Sequence, residues 1–319
     1  MRKFIIDTDT ASDDAVALIM ALKSPDVEVL AITCTAGVMT GKKTSRNARI
    51  SVDVAGTDTP PVYVGMEKPL VRAQTDVGEN AHGADGLGNM NYPDPVHPLS
   101  EGHAVDKIVE LVRDHDDLEI ITLGPLTNIA MAILLEPETM KKVKNITVMG
   151  GQYRMLNPCT ANAEFNIWID GEATKILLDS GIHVTMVPLD VCYGGTEVDA
   201  DDRAKLRSFK TRAGDFFVDA NRILLKYNQD SYDKDIISLP DPTAVAVAIN
   251  PSIVEEERQV KADIEIHSSM GYGQLLYNYH APVEEQNCRL ITKIDYKLFK
   301  QMVFLSAESD GKKVQFPTK

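Results

Sequence analysis

Four aspartates lie within eight positions near the start of the chain: Asp7, Asp9, Asp13 and Asp14. Like-charged carboxylates this close repel one another, and burying them without a partner costs several kcal/mol per charge, so a cationic partner is expected. No Lys or Arg lies between Lys3 and Lys23. The simplest partner is a hard divalent ion such as Ca²⁺ or Mg²⁺, because these ions prefer several oxygen ligands.

Two predicted elements position these aspartates. The apolar run Phe4-Ile5-Ile6 predicts a strand whose C-terminal end bears the first two aspartates. From Ser12, apolar residues recur at helical spacing, which predicts a helix with Asp13 and Asp14 in its first turn. A structural interpretation competes for this second pair, since Ser12 suits an N-cap and acids in a first turn suit the helix dipole. It does not explain the first pair, which lies on the strand side of the turn.

Two other kinds of site share part of this pattern. An EF-hand loop requires Gly at its sixth position and Glu at its twelfth, where the chain has Ser12 and Leu18, so an EF-hand is excluded. Phosphatases that form an aspartyl-phosphate use D-x-D-x-T after an apolar strand, and the segment Asp7-Thr8-Asp9-Thr10 comes close to it. A phosphatase therefore stays open as an alternative.

The motif D-T-D-x-x-x-D-D after a short strand resembles the calcium-binding signature of the inosine-uridine-preferring nucleoside hydrolases. Further segments follow in the order that this family shows: His82-Gly83-Ala84-Asp85-Gly86-Leu87-Gly88, Gly124-Pro125-Leu126-Thr127-Asn128-Ile129-Ala130, Val148-Met149-Gly150-Gly151, Ala163-Glu164-Phe165-Asn166-Ile167 and Asp241-Pro242-Thr243-Ala244-Val245. Together they span nearly the whole chain. The resemblance implies calcium-dependent hydrolysis of the N-glycosidic bond of ribonucleosides to ribose and free base.

The resemblance also implies the metal ligands. These are the carboxylates of Asp9, Asp14 and Asp241 and the backbone carbonyl of Leu123. Asp241 has a structural interpretation too, because Asp followed by Pro242 is typical of a helix N-terminus. Asp9 is expected to act as the general base that takes a proton from the attacking water.

Six substrate-binding residues are implied in the same way: Asp13, Glu164, Asn166, His82, Tyr227 and Tyr232. The first three are expected on the ribose hydroxyls, with Glu164 and Asn166 pointing to one side of a predicted extended segment. His82 and the two tyrosines are expected near the base. Structural alternatives exist here too. The segment Ala163-Glu164-Phe165-Asn166 could be a surface turn anchored by Phe165, His beside Gly is typical of turns, and tyrosines often cover the edge of a core.

Three positions depart from the family pattern. Val38 and Pro158 stand where the family usually has Asn, although Asn157 and Asn162 lie near the second position. Pro240 stands where the pyrimidine-preferring and nonspecific members usually have a His on the base side. These departures affect the substrate and the leaving group more than the metal.

Composition excludes several classes of protein. A formal net charge of −14 argues against nucleic acid or an anionic membrane as partner and favours a neutral ligand or one bound through a cation. No apolar stretch is long enough to cross a bilayer, and no secretory h-region follows the N-terminus. The four cysteines are widely separated, with no C-x-x-C pair, so we expect reduced thiols in a cytoplasmic protein. We also expect a homodimer or homotetramer, as the resemblance implies.

The order of predicted elements indicates the fold class. Buried strands are predicted at 27–34, 61–65, 118–124, 145–149 and 183–189, separated by helices at 41–55, 103–115, 126–135 and 170–180. This predicts an α/β fold with a largely parallel central sheet covered by helices, a Rossmann-like core, in one domain over 1–319. A helical region is predicted from 199 to about 229, then a polar stretch at 230–238 and a helix from Asp241. A small antiparallel portion is predicted at 260–267, 274–279 and 288–294, before a closing helix at 296–305.

Three hypotheses for the function remain open from the sequence. The whole run of motifs favours a working hydrolase of ribonucleosides or of a related N-riboside. A diverged, non-catalytic ribose-binding protein is suggested by Val38, Pro158 and Pro240. The phosphatase requires a basic residue near a second acidic pair, and Asp13-Asp14 come too early in the chain for that role.

Overall fold

The computed structural model describes residues 1–74, 78–154 and 160–319. Its sheet contains nine strands: β1 (Arg2–Thr8), β2 (Val27–Cys34), β3 (Val62–Val64), β4 (Leu118–Thr122), β5 (Asn145–Met149), β6 (Val184–Val187), β7 (Val254–Ile264), β8 (Leu275–Asn278) and β9 (Cys288–Ile294). The strand order is β3-β2-β1-β4-β5-β6-β9-β7-β8. Neighbours from β3 to β9 pair in parallel, whereas β7 pairs antiparallel with both β9 and β8.

Helices precede and follow these strands along the chain: α1 (Ser12–Lys23), α2 (Gly41–Ala55), α3 (Glu79–His82), α4 (Ala104–Asp114), α5 (Thr127–Leu135), α6 (Pro137–Met140), α7 (Phe165–Ile169), α8 (Gly171–Asp179), α9 (Ala200–Ser208), α10 (Arg212–Ala220), α11 (Arg222–Tyr232), α12 (Pro240–Ile249) and α13 (Tyr296–Glu308). Short 3-10 turns occupy Leu189–Cys192, Pro251–Ile253 and Val283–Glu285. No helix in the described ranges is both long and apolar enough to cross a bilayer.

The sheet has a core on each face. Alternate residues of β1 point to opposite faces, so Phe4 and Ile6 pack with α1, α2 and α12, while Ile5 packs with α4, α5 and α8. The central strands are buried on both faces, which explains why their sequences are almost continuously apolar. The predicted α/β fold with a largely parallel, helix-covered sheet is confirmed.

Most predicted elements agree with the structure, but several boundaries differ, and the short helices α3, α6 and α7 were not predicted. The helical region 199–229 consists of three helices, and α11 extends into the predicted polar stretch as far as Tyr232. Strand β7 begins at Val254, six residues before its prediction, because its first half is exposed and polar and lacks the apolar alternation of a buried strand. Strand β9 pairs antiparallel with β7 and also parallel with β6, so it joins the small antiparallel portion to the main sheet.

Helices α1 and α12 lie side by side within one core. Every residue of α1 is buried, and so is every residue of α12 after Pro240. A helix that is apolar all round belongs inside a core, which accounts for the sequences Ala15–Leu22 and Ala244–Ile249. The first turns of both helices lie at the C-terminal edge of the parallel sheet, where parallel α/β proteins place their ligands.

Candidate active site

A cavity of about 440 Å³ opens at the C-terminal edge of the sheet. All ten residues predicted for the site line this cavity: Asp9, Asp13, Asp14, His82, Leu123, Glu164, Asn166, Tyr227, Tyr232 and Asp241. One side is formed by carboxylates and the other by aromatic and apolar side chains. No Lys or Arg of the described residues lines it. The phosphatase alternative therefore lacks the basic residue that it requires.

Three carboxylates form a tight cluster on the acidic side. Asp13, Asp14 and Asp241 each offer an oxygen within 4.8 Å of the others, and all three are buried. Burial raises the pKa of Asp13 to about 6, and burial together with repulsion from Asp13 raises the pKa of Asp14 to about 6. Burial and then the charge of Asp14 raise the pKa of Asp241 well above its usual range. A divalent cation would offset both the cost of burying these charges and the repulsion between them, so the three carboxylates fit a metal ion.

The helix starts explain why these carboxylates meet. Ala11 occupies the cap position of α1, and Asp14 reaches back to accept its N–H at 2.9 Å, as in half of a capping box. The Thr8 hydroxyl donates to the other oxygen of Asp14 at 2.6 Å. Asp241 lies in the first turn of α12, which begins at Pro240, so it is not the N-cap that its sequence context suggested. Both helix dipoles stabilise anionic groups at this point.

Asp9 lies beside this cluster and is held on several sides. Its Oδ2 accepts the N–H of Val38 at 2.7 Å. A β-carbon on Gly37 would lie 2.1 Å from the same oxygen, and one on Gly124 would lie 2.5 Å from Oδ1. Burial raises the pKa of Asp9 well above its usual range, and the charge of Asp14 raises it further. A carboxylate held in this position can accept a proton from a water molecule in the cavity.

The carbonyl of Leu123 faces the same side of the cavity. It accepts a hydrogen bond from Nδ2 of Asn166 at 2.8 Å, and this nitrogen also lies 3.2 Å from the carbonyl of Met149. A carbonyl oxygen has two lone pairs, so Leu123 can accept this bond and still coordinate a cation. Asn166 therefore fixes the ends of β4 and β5 relative to each other.

Glu164 and Asn166 are not in an extended segment, and that prediction is wrong. Glu164 is the N-cap of α7, and its carboxylate accepts the N–H groups of Asn166 at 2.9 Å and Gly151 at 3.0 Å. The helix forms here because a buried carboxylate satisfies its free N–H groups. Burial raises the pKa of Glu164 to about 7, although these hydrogen bonds oppose the shift. The segment is buried, so the surface-turn interpretation is also wrong.

His82 lies at the end of α3, with Nδ1 2.8 Å from the Ser12 hydroxyl and 3.8 Å from Oδ1 of Asp13. Ser12 therefore contacts His82 and does not cap α1. Burial lowers the pKa of His82 to about 4. Tyr227 and Tyr232 lie in the last turns of α11, with ring centroids 5.9 Å apart in an edge-to-face pair and hydroxyls 3.5 Å apart.

Two of the departures from the family pattern lie in the cavity wall. Val38 and Pro240 both line it, and the backbone N–H of Val38 donates a hydrogen bond to Asp9. Asn157 and Pro158 lie outside the described residues. Asn162 is described, and its side chain donates to the Met270 carbonyl at 2.9 Å.

Four apolar residues of the cavity wall, three of them aromatic, were not predicted from the sequence. Phe165 and Trp168 of α7 both line the cavity, as do Tyr193 and Leu224. The signal for the first two was present, because Phe165 and Trp168 stand three residues apart and therefore share one face of a helix. The segment was interpreted as extended, so this relationship was not recognised.

Comparison with known proteins agrees with this geometry. The profile of the inosine-uridine preferring nucleoside hydrolase family matches residues 4–301. The inosine-uridine preferring nucleoside hydrolase of Leishmania major is 36% identical over 318 residues, covering 97% of this chain and 98% of that protein. Among solved structures, a plant nucleoside hydrolase superposes with a TM-score of 0.90 at 27% identity, covering 97% of this chain and 99% of the other.

A second solved structure, the purine-preferring ribonucleoside hydrolase from Gardnerella vaginalis, superposes with a TM-score of 0.89 at 28% identity. The match covers 96% of this chain and 99% of that one. The family is a metal-dependent class of hydrolases, and the aspartate cluster of this chain could hold a metal ion. The chain is therefore a ribonucleoside hydrolase, a glycosidase acting on N-glycosyl compounds, and belongs to the inosine-uridine preferring nucleoside hydrolase family.

Proposed function

We propose that the protein hydrolyses ribonucleosides to ribose and free base in this cavity, with one Ca²⁺ as its metal ion. The observation that supports the site most strongly is the convergence of buried carboxylates from Asp13, Asp14 and Asp241 in a cavity whose described lining contains no Lys or Arg. Oxygen donors alone, in this number, suit a hard divalent cation.

The proposed ligands are Asp9, Asp14, Asp241 and the Leu123 carbonyl. Asp13 belongs to the tight cluster with Asp14 and Asp241, whereas Asp9 lies beside it. The geometric cluster thus contains Asp13 in place of Asp9. We assign Asp13 to a ribose hydroxyl that faces the ion, and Asp9 to both the ion and the attacking water, because the family resemblance implies these roles. Bound Ca²⁺ would polarise the attacking water and neutralise the carboxylates around it.

The chain's own residues would perform the remaining steps. Asp9 accepts a proton as the water oxygen forms its bond to the anomeric carbon, and the N-glycosidic bond breaks with its electron pair going to the base. Asp13, Glu164 and Asn166 hold the ribose hydroxyls. The transition state has oxocarbenium character, so the surrounding carboxylates stabilise it more than the neutral substrate.

The departing base would lie against the aromatic side of the cavity, near Phe165, Trp168 and the pair Tyr227 and Tyr232. His82 is the imidazole of the described lining, and its Nδ1 lies 2.8 Å from the Ser12 hydroxyl and 3.8 Å from Oδ1 of Asp13. Pro240 has no proton to give. A second candidate substrate is therefore another N-riboside whose leaving group needs little assistance.

Turnover of a nucleoside panel tests the proposal. Purified protein is incubated with inosine, guanosine, adenosine, uridine and cytidine, and released ribose is measured as reducing sugar. Phosphate monoesters serve as the control substrates. Hydrolysis of at least one nucleoside, no release of phosphate, and loss of activity with a chelator are the expected results. Failure to release ribose from any of these, with an activated N-riboside cleaved instead, would favour the second candidate.

Two further expectations concern the location and the oligomeric state of the protein. We propose a cytoplasmic location, which the free, buried cysteines Cys34, Cys192 and Cys288 support. We also propose a homodimer or homotetramer. Cell fractionation tests the first, and light scattering coupled to size-exclusion chromatography tests the second.

A further inference from the structure

Tyr272 lies outside the cavity but contacts the elements that form two of its walls. It is buried in the turn between β7 and β8. Its hydroxyl accepts the N–H of Gly171 at 2.8 Å and donates to the carboxylate of Glu172. These two residues begin α8, immediately after the α7 helix that bears Phe165 and Trp168. The turn is therefore attached to the aromatic wall.

Tyr272 packs so closely against Gly171 that there is little room for a side chain at the glycine. A β-carbon at Gly171 would lie 3.0 Å from the Tyr272 hydroxyl oxygen, tighter than nearly all contacts of real side chains. The adjacent Gly273 has a φ of +82°, and a β-carbon there would lie 3.0 Å from the Cα of Trp168. The backbone of the turn thus packs directly behind Trp168, which lines the cavity. Any side chain at either glycine would push the turn and α7 apart.

The ring of Tyr272 contacts a different loop. The guanidinium carbon of Arg72 lies 3.1 Å from the ring centroid, and Arg72 Nε lies 3.9 Å from Glu172. Stacking on an aromatic ring and a nearby carboxylate both favour this position for an arginine. Arg72 therefore ties the loop that follows β3 to the Tyr272 turn.

The loop after β3 also contacts the part of the cavity wall that contains Val38. The Leu70 N–H donates to Asp170 at 2.9 Å, and the side-chain amide of Gln74 donates to the Gly37 carbonyl at 2.8 Å. Gly37 precedes Val38, which lines the cavity and donates its N–H to Asp9. Helix α3 with His82 lies a few residues farther along the chain.

We propose that Tyr272 is a positioning residue that, together with Arg72, fixes the spacing between the Trp168 wall and the loop wall and so sets the size of base that the cavity accepts. This rests on the proposed function, because it assigns the aromatic side of the cavity to the base. Tyr272 touches no substrate. It acts by holding Trp168 through Gly171 and Gly273, and the loop through Arg72.

The fluorescence of Trp168 gives a readout that is independent of turnover. Trp168 is the single tryptophan of the chain, so the intrinsic emission reports on the cavity wall alone. Displacement of the wall changes the exposure of the indole and hence its emission maximum. A change in overall stability with an unmoved wall leaves the emission of the folded protein as it was.

The test compares Tyr272→Ala and Tyr272→Phe with Met270→Ala, a matched control in the same turn whose side chain is 87% exposed. KM and kcat are measured for inosine and uridine, which differ in the size of the base. Tyr272→Ala should shift the Trp168 emission and change the ratio of the two kcat/KM values on the order of 10-fold to 100-fold, mainly through KM. Tyr272→Phe keeps the ring and should fall between wild type and Tyr272→Ala. Met270→Ala should match wild type.

Arg72→Ala covers the case in which Tyr272→Ala does not fold, because the Arg72 side chain is 45% exposed and its removal leaves the core intact. It should change the same ratio. Wild-type emission and an unchanged ratio in Tyr272→Ala, or in Arg72→Ala where the former is unfolded, would overturn the inference even if the melting temperature fell. A wild type that hydrolyses none of the five nucleosides named above would contradict the proposed function instead, and the emission comparison would still decide the role of Tyr272.

Discussion

The carboxylate of Asp9 lies so close to Gly124 that a β-carbon on the glycine would be 2.5 Å from its Oδ1 atom. Asp9 cannot move aside, because Gly37 and the Val38 N–H hold its other oxygen. Gly124→Ala should therefore displace the carboxylate and lower kcat on the order of 100-fold. Gly181→Ala adds the same methyl group in an exposed turn, where nothing lies within 4 Å of the new atom, and should leave kcat unchanged. Full activity in Gly124→Ala would show that Asp9 need not occupy its observed position.

Asp9→Asn tests the general base directly. The amide keeps the size of the side chain but cannot accept a proton, so turnover should fall about 10²- to 10⁴-fold while ribose binding changes little. Steady-state kinetics with ribose as a competitive inhibitor separates the two effects. A variant that kept most of its rate would identify another residue as the base, with Asp13 the next candidate.

Metal content tests the carboxylate cluster. The purified protein should contain about one equivalent of a divalent ion, measured by plasma emission spectroscopy in samples never exposed to chelator. Asp14→Ala should lose the ion and also unfold more easily, because the remaining acids repel without a counter-ion. Thr8→Val removes the hydrogen bond to Asp14 at 2.6 Å but keeps the carboxylate, so it should retain the ion. An empty site in wild-type protein would contradict the ligand assignment.

The effect of Pro240 can be measured by comparing substrates whose leaving groups need different amounts of assistance. Departure of a base is assisted by a proton, which an imidazole can give and Pro240 cannot. Relative to inosine or uridine, an activated riboside such as nitrophenyl riboside should be cleaved better by this protein than by a family member with His at this position. Single replacement of His82, Tyr227 and Tyr232 identifies any substitute acid. Equal turnover of ordinary and activated ribosides, unaffected by these three changes, would point to another route for expelling the base.

The contribution of Lys23 to the free energy of unfolding should increase as the pH rises above about 8. This lysine is fully buried at the end of α1, where its Nζ donates to the carbonyls of Ser306 and Ser309. Burial lowers its pKa to about 8, from 10.5 in the unfolded chain. Between these values the unfolded state binds more protons, so this group's contribution to the unfolding free energy increases as pH rises.

Lys23→Met lacks this titration and is the reference for it. Urea unfolding at pH 7.5 and pH 9.5 should show the wild type gaining on the order of 1–2 kcal/mol relative to Lys23→Met. A difference that stayed constant, or one that shrank, would show that the amine remains protonated in the folded protein. Activity per folded molecule should be the same in both, because the cavity lies at the other end of α1.

The part of the site formed by β1, the turn after it and α1 could be predicted from residues close together in the sequence. An apolar run followed by Asp7 and Asp9, and a helical pattern from Ser12, predicted strand, turn and helix as they are observed, because each signal is confined to one element. Helix α2 ends where predicted for the same reason, since Gly56 adopts the left-handed conformation that closes a helix.

Glu164 shows where local signals were insufficient. Its carboxylate accepts N–H groups from Gly151, on the loop after β5, as well as from its own helix. This contact with a distant loop stabilises a helix where the sequence suggested an extended segment. Likewise, the exposed first half of β7 follows its pairing with β9 and not its own apolar pattern.

By itself, the sequence determined that the chain has an α/β fold with aspartates at the end of its first strand, and its motifs pointed to the family. Only the tertiary structure decided which of these acids share a site. Asp241 joins Asp13 and Asp14 because α12 packs beside α1, and Tyr272 reaches Arg72 and Gly171 because β7 and β8 extend the sheet to that side. Such contacts depend on the packing of elements far apart in the chain, and no local pattern of residue types encodes that packing.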